Sequence, residues 1–179
     1  MDIREKIIKS ERLYDGHIIK LEIASVTLPD GRPATREIVR HPGGVGVVAL
    51  DDENNIYLVK QYRTPYDEIL LEIPAGKLDK GEEPLKAAER ELSEETGLVS
   101  SDIKYIGDFY PTVGFCDEIL RIFVAKGLTQ GDTHPDEDEF VNTVKMPFSE
   151  AVGLVLNGTV KDGKTIAAIL KTKLLLEKD

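Results

Sequence analysis

The sequence predicts an α/β (α+β) protein, a mixed central sheet between helices preceded by a small antiparallel sheet. Three observations carry that prediction. Residues 3–28 alternate apolar and polar side chains in pieces such as His17-Ile18-Ile19-Lys20-Leu21-Glu22-Ile23, the period of strands. From Val45 onward, short apolar runs are punctuated by turn formers, as in a largely buried sheet. Two stretches, roughly 84–96 and 165–177, carry helical spacing.

Taken in order, Asp15-Gly16 and Pro29-Asp30-Gly31 read as turns and residues 35–39 as a strand, so the first 40 residues make a small sheet. Alone it would have a poorly covered face and open edges, to be covered by the rest of the chain or by a second copy. After Pro42-Gly43-Gly44, residues 45–50 and 56–62 form a hairpin around a turn at 51–55. Residues 69–73 add a strand that ends at Pro74-Ala75-Gly76. Residues 103–109 and 119–126 are strands separated by Tyr110-Pro111-Thr112-Val113-Gly114-Phe115. The stretch 129–139, TQGDTHPDEDE, reads as an acidic loop, and residues 140–146 return to strand pattern. Ser149 is the expected cap of a helix reaching about Leu156, with Gly158 as its stop. The last helix shows Ile166, Ile169, Leu170 and Leu174 at helical spacing.

Length and composition narrow the function. At 179 residues, 41% hydrophobic and 31% charged, the chain can bury a proper core. Its net charge of −10 argues against a nucleic-acid partner, whose phosphates must be neutralised by Lys and Arg. An anionic substrate would need metal ions to supply positive charge. The one cysteine, Cys116, excludes an internal disulfide and a cysteine metal cluster and suits a reducing cytoplasm. No apolar run reaches signal-peptide length at the start or the roughly 20 residues of a membrane span elsewhere, so a soluble, cytoplasmic protein without a membrane partner is expected.

The stretch GKLDKGEEPLKAAERELSEETGL, residues 76–98, concentrates the chemistry. Pro84 suits the first turn of a helix and Gly97 the residue just past its end. On the helical wheel Leu85, Ala88 and Leu92 form an apolar stripe, with Glu91, Glu94 and Glu95 beside it at the margin of the core. Glu91 and Glu95 lie four apart, where like charges destabilise a helix by a few tenths of a kcal/mol. A divalent cation would reverse that sign, since carboxylate oxygens are hard ligands for Mg²⁺ or Mn²⁺. A solvated acidic face is the plain alternative.

The full spacing shifts the balance toward the cation: Gly76, Glu82, Arg90-Glu91-Leu92, Glu94-Glu95 and Gly97-Leu98 resemble the Nudix box at every fixed position. Glu72-Ile73-Pro74-Ala75-Gly76-Lys77-Leu78-Asp79, Gln61-Tyr62-Arg63 and Pro111 resemble the ADP-ribose pyrophosphatase branch of that family. The branch often carries a second proline where this chain has Val113, a departure that bears on substrate preference more than on the reaction.

The resemblance implies a Nudix-like α/β/α sandwich over residues 42–179, with residues 1–41 as an N-terminal sheet exchanged across a homodimer. It implies metal-dependent hydrolysis of the diphosphate of ADP-ribose to AMP and ribose 5-phosphate, with Mg²⁺ or Mn²⁺ held by Glu91, Glu94, Glu95 and the Ala75 carbonyl. Arg90 would orient a glutamate, Glu82 would be a peripheral acid, and Gly76 would shape the loop before the helix. Arg63 and Gly114 would contact substrate, and Tyr14, Tyr62 or Tyr66 could stack on adenine. A water attacking a shielded diphosphate needs a base, and the branch takes it from the acidic loop: Glu137, with Glu139 as a metal-side or alternative base. Another nucleoside diphosphate sugar or dinucleotide is the nearest alternative substrate, and a nucleotide sensor without hydrolysis the alternative of another class.

Overall fold

The computed structural model describes residues 2–131 and 140–178. The chain divides into two compact units, Met1–Gly43 with Tyr110–Ile119, and Gly44–Phe109 with Leu120–Asp179. The first contains the expected antiparallel sheet: β1 (Lys6–Asp15), β2 (Lys20–Thr27) and β3 (Pro33–Arg40), in that order, with the turns where Asp15-Gly16 and Pro29-Asp30-Gly31 stand. Segment 110–119 joins this unit along β3. Val39 N donates to Phe115 O at 2.7 Å, Asp117 N donates to Val39 O at 3.1 Å, and Arg40 Nη1 and His41 N both donate to the Asp117 carboxylate at 3.0 and 2.8 Å. β1 leaves Ile7, Ile8, Leu13 and Tyr14 exposed.

Charged cross-strand pairs hold this sheet, with Glu22 at their centre. It accepts from Arg12 Nη2 at 2.8 Å, from Arg40 Nε at 3.0 Å and from Ser10 Oγ at 3.2 Å. The Arg12 and Arg40 guanidinium groups hold its carboxyl at about 2, against an ordinary value of 4.5. A depressed carboxyl stabilises the fold fully above its unfolded value and loses that contribution as pH falls from about 4.5 to about 2. Carbon-detected NMR should find Glu22 titrating near 2, and titration at an ordinary glutamate value would show that the two arginines do not grip it.

Among the described residues the second unit forms a mixed sheet of β4 (Gly44–Leu50), β5 (Asn55–Arg63), β6 (Glu68–Glu72), β7 (Ala75–Lys77), β8 (Leu98–Phe109), β9 (Leu120–Gln130) and β10 (Val141–Pro147). Its main path runs β10-β5-β4-β9-β8, with β4 and β9 parallel. β4 is buried along its whole length, which explains its unbroken apolar sequence GVGVVAL. Its alternate residues serve two cores. Val45, Val47 and Ala49 pack with Ala87, Ala88 and Leu92 of helix α1 (Pro84–Thr96), while Val48 and Leu50 pack with residues of α2 (Phe148–Leu156) and α3 (Gly163–Leu176). This is the expected layering, helices on both faces of a mixed sheet.

Several boundaries differ from the sequence expectation for physical reasons. β8 starts at Leu98, not 103, because its polar stretch pairs with β9 from Leu98↔Gln130 onward and the Ser100 and Ser101 hydroxyls donate to Lys126 and Gly127 carbonyls at 2.7 and 3.1 Å. β9 accordingly extends into what the sequence suggested was loop. Ser149 is not a cap: α2 begins at Phe148, with Pro147 before it and no side-chain cap. The last helix begins two residues earlier than expected, because the Asp162 carboxylate accepts from Thr165 N at 3.0 Å. Asp132 through Glu139, which include Glu137 and Glu139, lie outside the described residues.

Candidate active site

The helix that carries the acids starts and stops where Pro84 and Gly97 require. Gly97 adopts φ 70°, the left-handed conformation that favours glycine, and its N–H donates to Ser93 O at 2.8 Å. The buried face is rotated from the expected one. Leu85 is 41% exposed, and the face toward the sheet is Ala87, Ala88, Glu91, Leu92 and Glu95. The two alanines let the helix sit close to β4 on that side. Glu91 and Glu95, at 6% and 3% exposure, are therefore inside the protein, not at the margin of its core.

Buried carboxylates need partners, and Arg90 is the hub. Its Nε and Nη2 fork onto Glu82 at 2.9 and 3.0 Å, its Nη1 donates to Glu91 Oε1 and Glu94 Oε2, both at 2.8 Å, and Nη2 also donates to Lys77 O at 3.2 Å. The bonds to Glu82 raise the guanidinium's affinity for its proton, and Arg90 in turn lowers the Glu82 carboxyl. Glu95 Oε2 accepts from Ala75 N at 3.0 Å, so the short strand β7 touches the helix through its first amide. Gly76 follows, and a Cβ there would overlap the Glu91 carboxylate. Glycine is thus required for close approach, not for a left-handed loop conformation.

The donor set suits a divalent cation. Glu82, Glu91 and Glu94 share a single guanidinium, Glu95 lies one turn beyond Glu91, and all are hard oxygen ligands. The excess negative charge, half of it withdrawn from water, is what a cation neutralises. In the described residues no three acidic, histidine or cysteine side chains converge on one point as they stand. Each is held by its own donor, Glu91 and Glu94 by Arg90 Nη1 and Glu95 by the Ala75 amide.

The other candidates are placed as follows. Arg63, at the end of β5, is not free: its Nε and Nη2 fork onto the buried Glu72 at 2.6 and 2.7 Å. Lys164 pairs with the same carboxylate and with Asp162 at 3.0 Å. Burial pushes the Glu72 carboxyl up, but Arg63 and Lys164 outweigh it and hold the group below its ordinary value. Gly114 is exposed and belongs to the N-terminal unit. Tyr14, Tyr62 and Tyr66 are exposed, and Tyr62 donates to Asp67 at 2.7 Å. Sequence reasoning missed Glu72 and Lys164 as site-supporting residues. The signal was an acid closing the apolar run Ile69-Leu70-Leu71, ahead of Ile73. Glu72→Ala would leave two cations facing each other, and breaking a buried pair costs about 3–5 kcal/mol. Thermal unfolding should show a correspondingly large drop in Tm, whereas an unchanged Tm would mean that the cluster is neutral to stability.

An acid-rich helix centred on one arginine, packed against a mixed sheet with helices on its other face, defines a Nudix-type site. The chain belongs to the Nudix family: residues 40–169 match the NUDIX domain, and residues 5–39 match the nucleoside diphosphate sugar hydrolase N-terminal domain. An ADP-ribose pyrophosphatase of Bacillus subtilis (strain 168) is 44% identical over 169 residues, 93% of this chain and 91% of that protein. A methanol dehydrogenase activator of Bacillus methanolicus is 44% identical over 167 residues, 92% of this chain and 90% of that protein. A crystal structure of an ADP compounds hydrolase matches with a TM-score of 0.87, covering 99% of this chain and 97% of that one at 19% identity, which shows the fold.

Proposed function

We propose that this protein hydrolyses the diphosphate linkage of ADP-ribose, giving AMP and ribose 5-phosphate. The observation that carries the reading is the cluster at α1, where Glu82, buried Glu91 and Glu94 share one arginine and buried Glu95 lies one turn beyond Glu91. The 44% identity to an ADP-ribose pyrophosphatase over nearly the whole chain supports the choice of substrate. Glu91, Glu94, Glu95 and the Ala75 carbonyl would hold the divalent ion, Mg²⁺ or Mn²⁺. When bound, it neutralises diphosphate oxygens and lowers the pKa of a bound water.

The chain's own residues do the rest. Arg90 fixes the rotamers of Glu91 and Glu94 through Nη1 and those of Glu82 through its fork, so the acids are oriented before any ligand arrives. The Ala75 amide does the same for Glu95. Glu137 takes the proton from the attacking water, with Glu139 as metal-side acid or alternative base. Arg63 keeps its guanidinium oriented on Glu72, and a bidentate hold on a phosphate is the chemistry that group suits. Gly114 contributes substrate contact without side-chain bulk.

Incubation with a panel of nucleoside diphosphate derivatives and Mg²⁺, with product analysis, tests this. AMP and ribose 5-phosphate from ADP-ribose are expected. Preference for another nucleoside diphosphate sugar is the second reading, favoured by the match of residues 5–39 to a nucleoside diphosphate sugar hydrolase domain. No hydrolysis of any member would reject both.

Residues 1–41 serve, in the same proposal, as a dimer-exchange element, because β1 exposes Ile7, Ile8, Leu13 and Tyr14 that a monomer leaves in water. Sedimentation should report a homodimer at micromolar concentration, and an active monomer there would remove the dimer from the proposal. The single cysteine suits a cytoplasmic setting, and among the described residues no helix is long and apolar enough to cross a membrane.

A further inference from the structure

We infer that Thr165 and Lys164, at the start of α3, are positioning residues for the Glu95 carboxylate, acting through the backbone of residues 72–75. The inference rests on the proposed metal-dependent activity. Its starting point is the break between β6 and β7. The ladder from β6 to β5 ends at Glu72↔Val59, and the ladder from β7 to β4 begins at Ala75↔Gly46. Between them stand Ile73 and Pro74. Proline has no N–H, so the Ile73 amide is the buried donor that the break leaves without a strand partner. Thr165 Oγ1, wholly buried, accepts from it at 2.9 Å.

The same hydroxyl donates to Asp162 Oδ2 at 2.6 Å. Asp162 also accepts from Thr165 N and Lys164 Nζ, both at 3.0 Å, and Lys164 pairs with Glu72. Two successive residues, Glu72 and Ile73, are therefore gripped from α3. On the other side Val47 N donates to Pro74 O at 2.9 Å, and Ala75 and Gly76 pair with β4. Held between α3 and β4, the segment delivers the Ala75 amide to Glu95 Oε2 at 3.0 Å. The helix does not need this much. Its cap is complete with the Asp162 carboxylate on Thr165 N, so the hydroxyl and the ammonium act outside their own helix.

Thr165→Val keeps the shape and removes the hydroxyl, Thr165→Ser restores it, and Lys164→Met removes the ammonium while leaving cap and hydroxyl in place. Binding of Mn²⁺ to the substrate-free full chain, read from the resonance signal of the free ion, is the measurement. Thr165→Val should raise the Mn²⁺ Kd by about tenfold, the lower end of what outer partners of metal ligands contribute, and Thr165→Ser should bind as the parent does. A folded Thr165→Val protein with unchanged Kd overturns the inference. If that variant does not fold, Lys164→Met decides: a raised Kd supports the inference and an unchanged one overturns it. A parent chain that binds Mn²⁺ and hydrolyses ADP-ribose while the variants keep its Kd rejects the positioning role alone. A parent chain that does neither rejects the proposed function, and the inference with it.

Discussion

Glu95→Gln and Glu91→Gln should each give a folded protein whose turnover at saturating Mg²⁺ falls about a hundredfold or more, since metal ligation of a reacting diphosphate contributes several kcal/mol. Glutamine isolates charge from geometry. At position 95 the amide oxygen can still accept from Ala75 N, and at 91 it can still accept from Arg90 Nη1. Stability should move the other way. Glu82, Glu91 and Glu94 share one guanidinium and Glu95 lies one turn beyond Glu91, so removing a negative charge in metal-free buffer should leave stability unchanged or raise it by a few tenths of a kcal/mol, as for an i,i+4 like-charge pair. The rise should be smaller for Glu91, which gives up its ion pair with Arg90. Steady-state kinetics and metal-free thermal unfolding on the same preparations check both halves. Near-normal turnover of either variant would remove these residues from the metal set.

Glu137→Gln should lower kcat by about 10²- to 10⁴-fold, the usual contribution of a general base, with nearly unchanged Mg²⁺ dependence. Glu139→Gln, if that residue sits on the metal side, should shift the Mg²⁺ requirement upward instead. The two variants therefore separate proton transfer from ligation, which the run Asp136-Glu137-Asp138-Glu139 leaves open because four successive acids offer the same chemistry. The test is a Mg²⁺ titration of kcat for each. A fully active Glu137→Gln enzyme would return the base assignment to Glu139.

What was legible in the sequence was local. Pro84 and Gly97 act on their own backbone, so the helix 84–96 could be bounded to the residue, and the three acids that share it could be grouped before any tertiary contact was known. What was not legible depended on partners far along the chain. Glu72 and Lys164 are separated by 92 positions, so their pairing has no sequence period. Arg63 looked available because its acceptor stands on the next strand. The three-residue β7 is a strand only because β4 runs beside it. A helical wheel puts Leu85 in the apolar stripe because it gives spacing without saying which side the sheet takes, and the side taken carries small Ala87 instead.

The attachment of segment 110–119 to β3 has a consequence for how the molecule is made. Residues 1–43 leave the ribosome before residues 110–119, so the unit they share is finished only when Asp117 arrives to meet Val39, Arg40 and His41. At roughly 5–20 residues per second of synthesis, the nascent sheet waits several seconds with Val39 of β3 unpaired. An unpaired edge is a template for another strand. During that interval crowded neighbouring chains on one message, each carrying the same exposed sheet, are the nearest competitors for it.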